Sequence, residues 1–121
     1  MKQPKRVRCK LKHVVVRMAK LRDSDNIHEV LKQAFRRLEG RGYSTQAIET
    51  AIIDAKEIRK RIRSEQHVLV AEFNDEIVGT VTGSEEHKSM HVYSLAVLPN
   101  YQNCGVARRL MECLEAVAVK K

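Results

Sequence analysis

The stretch LAVLPNYQNCGVARRLMECLEAV, residues 95–117, decides the fold of this 121-residue chain. An apolar run ends at Pro99, polar residues and Gly105 follow, and the remainder is strongly periodic. This order predicts a strand that passes through a glycine-containing turn into a helix. The first N–H groups of a helix have no carbonyl partner within it, and the helix dipole is positive at that end. The stretch therefore predicts an anion-binding site where the helix begins.

Length and composition predict one globular domain. With 121 residues, 43% of them apolar, the chain can bury a core of its own. We expect a basic N-terminal tail over residues 1–12 and the domain over residues 13–121. No apolar run has the length of a signal peptide or a membrane span, and cytoplasm is the expected compartment. The cysteines, Cys9, Cys104 and Cys113, are odd in number and lack metal-ligand spacing, which argues against disulfides and against a zinc site.

Periodicity predicts the elements of the first half of the chain. Residues 13–19 are rich in β-branched side chains and predict a strand. Possible N-cap oxygens at residues 23–25 introduce a helix that ends at the turn of residues 40–42. A second helix is expected to start near Ser44 or Thr45 and to continue to about Ile62.

Three strands are predicted before the decisive stretch ends. Residues 68–73 and 76–83 read as an antiparallel hairpin across an Asn74-Asp75 turn. A polar loop over residues 84–89 and a strand over 90–98 follow. The order β-α-α-β-β-β-α is typical of an α+β (mixed α/β) domain, with helices packed on a mostly antiparallel sheet.

The loop before the last helix carries a resemblance to a known family. Residues 102–107, Gln-Asn-Cys-Gly-Val-Ala, match the pattern Gln or Arg, two residues, Gly, one residue, Gly or Ala. Three further features fit the same family: the strand ending in Leu-Pro at residues 98–99, the hairpin around residues 77–81 and the order of elements. Over residues 13–119 the chain resembles the GCN5-related N-acetyltransferase (GNAT) family.

The resemblance implies acetyl-coenzyme A as co-substrate. No metal is expected, because the histidines lack the spacing of metal ligands. The loop N–H groups would hold the pyrophosphate, with Gln102 at the mouth, and the preceding strand would pair with the pantetheine amides. The cofactor-binding residues implied in this way are Leu95, Ala96, Val97, Gln102, Asn103, Cys104, Gly105, Val106, Ala107 and Arg108.

Acetyl transfer requires a neutral amine, so a base is expected near the thioester. The candidates are Glu72 on the hairpin, and His91 and Tyr93 on the last strand. None is singled out by the sequence, and a packed or surface strand residue is the simpler interpretation of each. A backbone N–H near Val97 is a candidate for stabilising the oxyanion.

The sequence stops at Lys121, where members of the family continue with a further strand, a helix and two more strands. We therefore expect an open sheet edge beside residues 90–98, and a homodimer or strand-swapped assembly that pairs this edge.

Three classes of function fit the sequence. The first is transfer of an acetyl group to a primary amine, on a small molecule or a protein, by direct attack in a ternary complex. The second is a coenzyme A-binding module without turnover. The third is a basic nucleic-acid binder, which only the net charge of +8 and the N-terminal Lys/Arg cluster support; two Phe and three Tyr offer no stacking platform. The acceptor itself is open, and the region that would shape its site contains Arg36, Arg37, Arg41 and Tyr43.

Overall fold

A computed structural model of the chain describes residues 13–64 and 66–119. The predicted basic tail, residues 1–12, lies outside the described residues. The elements, in chain order, are β1 Val15–Met18, α1 Ser24–Arg36, α2 Thr45–Ala51, α3 Ala55–Arg63, β2 His67–Phe73, β3 Glu76–Glu86, β4 Ser89–Val97 and α4 Val106–Val119. The predicted α+β architecture is confirmed. Within the described part of the chain, no helix has both the length and the apolar character needed to cross a membrane.

The strands form one antiparallel sheet in the order β1-β2-β3-β4. The predicted hairpin is present as β2 and β3. Its turn residues Asn74 and Asp75 have φ angles of +50° and +63°. Two-residue hairpin turns with positive φ at both residues match the right-handed twist of the flanking strands. In the described sheet, β1 and β4 are the two edges.

The prediction of a polar loop over residues 84–89 is wrong. Strand β3 continues to Glu86, and a two-residue turn at His87 and Lys88 leads directly into β4. Both turn residues have positive φ angles, +49° and +67°. The polar side chains 84–86 stand at the solvent end of the hairpin, where a strand does not need an apolar face.

The prediction of one continuous second helix is also wrong. Helix α2 ends at Ala51, and α3 begins at Ala55. The carboxylate of Asp54 accepts a hydrogen bond from the Glu57 N–H at 2.9 Å, which caps a new helix start. Each of the two short helices buries an apolar face, with Ile48 buried in α2 and Ile58 in α3. The apolar stripe in the sequence therefore continues across the break.

Helices cover both faces of the sheet. Residues 77–83 of β3 are buried without interruption. A Cβ built on Gly79 would lie 3.1 Å from Leu110 of α4, and one on Gly83 would lie 2.7 Å from Leu114. These glycines therefore allow α4 to pack closely on one face, while α1, which also contacts β3 and β4, covers the other.

An ion-pair cluster fastens β1 to β2 and to the start of α1. The Arg17 guanidinium donates to both carboxylate oxygens of Asp23, at 2.8 and 3.0 Å, and pairs with Glu72. The Lys20 N–H also donates to Asp23, at 2.7 Å. The hydrogen bonds from Arg17 are the main cause that lowers the pKa of Asp23 below its usual value.

We expect Asp23→Asn to destabilise the protein at pH 7 by roughly 3 kcal/mol, since a guanidinium loses its most buried partner. Because the pKa of Asp23 is lowered on folding, its stabilisation is present above the ordinary carboxyl pKa of about 4 and is lost as the pH falls through the lower folded value. As the pH falls below about 4, the free energy of unfolding should therefore decrease less in the variant than in the wild type. Urea denaturation at a series of pH values measures both effects. Asp25→Asn, which removes an exposed carboxylate nearby, is the control; parallel pH curves for wild type and Asp23→Asn would contradict this prediction.

Candidate functional site

A cleft lies where the carboxyl end of β4 meets the start of α4 and the end of α1. Its volume is about 490 Å³, within the range of small-molecule sites. Most of the residues that the sequence assigned to a cofactor line it: Leu95, Ala96, Val97, Gln102, Asn103, Gly105, Val106 and Ala107. Cys104 and Arg108 are not among the lining residues. Ala34 and Phe35 of α1 form the apolar wall on the other side, together with Leu38 in the turn that follows α1.

The loop between β4 and α4 is shaped by two residues in the left-handed region. Asn103 has φ +63° and Gly105 has φ +84°. Asparagine and glycine tolerate this conformation better than other residues. Helix α4 then begins at Val106, and the Arg109 N–H donates to the Gly105 carbonyl at 3.0 Å.

The start of α4 carries the donors that an anion needs. The N–H groups of its first turn, from Val106 onward, have no carbonyl partner within the helix. Val106 and Ala107 line the cleft, so this positive end of the helix borders the cavity. The anion site expected from the sequence is thus compatible with the geometry of the loop.

The β4 strand is irregular where it enters the cleft. Thr80 of β3 pairs with Ala96, but Thr82 pairs with Tyr93, so β4 contains one extra residue between these pairs. Ser94 lies in this bulge with φ +56°, and Arg61 of α3 donates to its hydroxyl at 3.0 Å. A bulge re-aims the side chains beyond it.

The backbone of Val97 faces the open edge of the described sheet. Val97 pairs with Gly79, while the neighbouring Leu98 N–H donates to the Val78 carbonyl at 2.8 Å. In an antiparallel pair with this pattern, the paired residue directs its own N–H and C=O away from the partner strand. The Val97 N–H is therefore placed to bond an amide that enters the cleft as an extra strand would.

Gln102 ties the loop to two other elements. Its amide nitrogen donates to the Val97 carbonyl at 3.1 Å, and its amide oxygen accepts a hydrogen bond from Arg37 at 3.0 Å. Arg37 directly follows α1, and it is 65 residues away from Gln102 in the sequence. Sequence reasoning missed this contact, because nothing in the local pattern of either residue indicates it.

The Arg108 side chain does not line the cleft. It is 85% exposed and forms an ion pair with Glu112, one turn along α4, at 3.1 Å. The guanidinium thus lies along the outside of the helix rather than in the cleft.

The three candidate bases lie outside the cleft. Glu72 is on β2, where it is held by Arg17. His91, 3.6 Å from Glu86, and the exposed Tyr93 are on the outer half of β4. Among the described lining residues, Tyr101 is the one with a titratable side chain; its ring packs edge-on against Phe73, with centroids 5.8 Å apart. No group of three His, Cys, Asp or Glu side chains in the described ranges is arranged to hold a metal ion.

The comparisons with known proteins agree on one family. Residues 25–121 match the model of the acetyltransferase (GNAT) family. The fold is similar to that of a PaiA N-acetyltransferase from Thermoplasma acidophilum solved with coenzyme A (TM-score 0.79, 16% identity, 88% of this chain and 72% of that one). It is also similar to a GNAT family acetyltransferase from Brucella melitensis solved with acetyl-CoA (TM-score 0.70, 23% identity, 89% and 70%). An aminoglycoside acetyltransferase from an uncultured soil metagenomic sample, solved with sisomicin, has a TM-score of 0.64 at 19% identity (90% and 72%). No curated protein sequence matches the chain.

Proposed function

Because the chain belongs to the acetyltransferase (GNAT) family, a family of N-acetyltransferases, we propose that it transfers the acetyl group of acetyl-coenzyme A to a primary amine. The observation that carries the proposal is the cleft in which the start of α4 and the edge of β4 meet. One end of this cleft offers N–H donors for a pyrophosphate, and the other offers a strand edge for amides. The neighbours solved with coenzyme A or acetyl-CoA support the choice of ligand.

The residues of the cleft divide between the parts of that ligand. The N–H groups of the first turn of α4 and of Gly105 bind the pyrophosphate, because Gly105 has no side chain to keep it away. The outward N–H of Val97 pairs with a pantetheine amide. The apolar wall formed by Phe35 and Leu38 excludes water from the pantetheine arm.

Transfer forms one bond and breaks one. The neutral amine attacks the thioester carbonyl, the new C–N bond forms, and the C–S bond breaks. The amine proton leaves to water or a base, and the departing sulfur gains a proton. Tyr101 is the titratable side chain that borders the cleft within the described residues, so we assign it to this exchange of protons ahead of Glu72, His91 and Tyr93.

We expect acetyl-CoA to raise the melting temperature. A ligand that binds only the folded state at 100 times its Kd adds about 2.7 kcal/mol, which amounts to roughly 10 °C for a domain of this size. Differential scanning fluorimetry measures the shift, and adenosine at the same concentration is the control. The absence of any shift with saturating acetyl-CoA would refute the proposed cofactor.

Binding without turnover is the second candidate. It is favoured by the lack of a carboxylate or histidine among the described lining residues. Release of the coenzyme A thiol, measured with a panel of amines, separates the two candidates: amine-dependent release supports transfer, whereas a thermal shift without release supports the binding module. The amine class of the acceptor is consistent with the aminoglycoside acetyltransferase neighbour.

Assembly of two copies through the edge of β4 stays a prediction. Val92 and Tyr93 are exposed large hydrophobic residues on the part of this strand that does not line the cleft, where a second copy could cover them.

A further inference from the structure

We propose that Arg37 is a further cofactor-binding residue, which directs its positive charge to the phosphates of acetyl-coenzyme A at the mouth of the cleft. This inference rests on the proposed function and extends its site to α1. It assigns to the end of α1 a role that the sequence pattern of the loop does not contain.

Arg37 is held at the loop by a defined contact. Its Nη1 donates to Gln102 Oε1 at 3.0 Å, and Gln102 Nε2 donates to the Val97 carbonyl at 3.1 Å. Gln102 is the first residue of the 102–107 motif that leads into α4, and it lines the cleft. The hydrogen bond therefore places the guanidinium at Gln102, which lines the same cleft as the start of α4.

The charge of Arg37 is not neutralised by this contact. Gln102 offers a neutral amide oxygen, and no described carboxylate forms a salt bridge with Arg37. The neighbouring Arg36 differs, because it pairs with Glu39 at 2.9 Å. Arg108 at the start of α4 differs in the same way, because it pairs with Glu112. Of these three arginines, Arg37 is the one whose guanidinium no described carboxylate engages.

The remaining donors suit a phosphate. A guanidinium has five N–H donors in a planar fork, and the hydrogen bond to Gln102 uses one of them. The others can form two parallel hydrogen bonds with phosphate oxygens, which are stronger than bonds between neutral groups. Together with the N–H groups of α4, Arg37 thus completes a site for a polyphosphate rather than for any anion.

The test compares two thioesters that differ in their phosphates. Wild type, Arg37→Gln, Arg37→Lys and the matched control Arg36→Gln are titrated with acetyl-CoA and with S-acetyl-pantetheine, which has the same thioester and amides without any phosphate. Thermal-shift titration gives Kd for each. Arg37→Gln should raise the Kd of acetyl-CoA about tenfold, the loss expected for one charge-assisted contact, and leave that of S-acetyl-pantetheine unchanged. For Arg37→Lys, the Kd of acetyl-CoA should lie between those of wild type and Arg37→Gln, and for Arg36→Gln it should equal that of wild type.

The outcomes separate this inference from the proposed function. If Arg37→Gln weakens both thioesters equally, Arg37 only shapes the cleft through Gln102, and the proposal is overturned. If Arg37→Gln and Arg36→Gln behave alike, the effect is one of net charge, and the proposal is overturned as well. If wild type binds no acetyl-CoA at all, the proposed function itself fails. Because Arg37 is exposed, the unliganded variants should unfold at the wild-type temperature, which confirms that the fold is intact.

Discussion

Replacement of Gly105 by valine is expected to abolish the binding of acetyl-CoA, with a Kd raised by at least about 100-fold, or nearly 3 kcal/mol. Gly105 lines the cleft and has φ +84°, in a region that a β-branched residue avoids at a cost of roughly 1–3 kcal/mol. Valine at this position either occupies the space of the pyrophosphate or shifts the loop and its N–H groups. Isothermal titration calorimetry measures the loss directly.

Gly42→Val provides a matched control for this experiment. Gly42 also has a positive φ, +92°, but a Cβ added there meets no described atom within 4 Å, and the residue does not line the cleft. This variant carries the same backbone strain without touching the site, so it should lower the melting temperature and retain the Kd of wild type. Retained binding in Gly105→Val would show that the anion binds elsewhere.

The sequence predicted the loop because the pattern there is local. Gly105, the apolar strand before it and the periodic helix after it lie within about twenty consecutive residues, and short-range sterics determine their structure. The break before α3 also has a local sequence signal, since Asp54 and Glu57 have the spacing of a helix start. The apolar stripe continues through Ile52 at helical spacing, so periodicity alone predicts one helix where the cap at Asp54 indicates two.

The remaining features depend on contacts that no local pattern carries. The turn at His87 and Lys88 adopts positive φ angles with residues that rarely signal such a turn. Arg37 and Gln102 are joined across 65 residues, and both are polar residues of a kind common on any surface. The position of Glu72 beside Arg17 follows from the pairing of β1 with β2, which the sequence did not specify. The fold and the loop were therefore predictable, whereas the charges around the cleft required the structure.

Leu110→Ala is expected to destabilise the protein by about 3 kcal/mol, a typical loss for a buried leucine that leaves a cavity. Leu110 is fully buried, and it packs against the backbone of Gly79 on the sheet. Urea denaturation should show a lower midpoint with an unchanged slope, as expected when the compactness of both states is retained. Leu21→Ala is the control, because Leu21 is 43% exposed and the same truncation there should cost well under 1 kcal/mol.

A double-mutant cycle with Gly79→Ala shows whether this contact positions α4. A Cβ on Gly79 would lie 3.1 Å from both Leu110 and Val106, so Gly79→Ala in the wild type should push α4 away from the sheet. In the Leu110→Ala background the added methyl enters the space that the leucine leaves. The loss of stability in the double variant should therefore be smaller than the sum of the two single losses, by about 0.5 kcal/mol or more. Because Val106 begins α4, Gly79→Ala should also weaken acetyl-CoA binding more than Leu110→Ala does. Strictly additive losses would mean that the sheet does not set the position of the anion site.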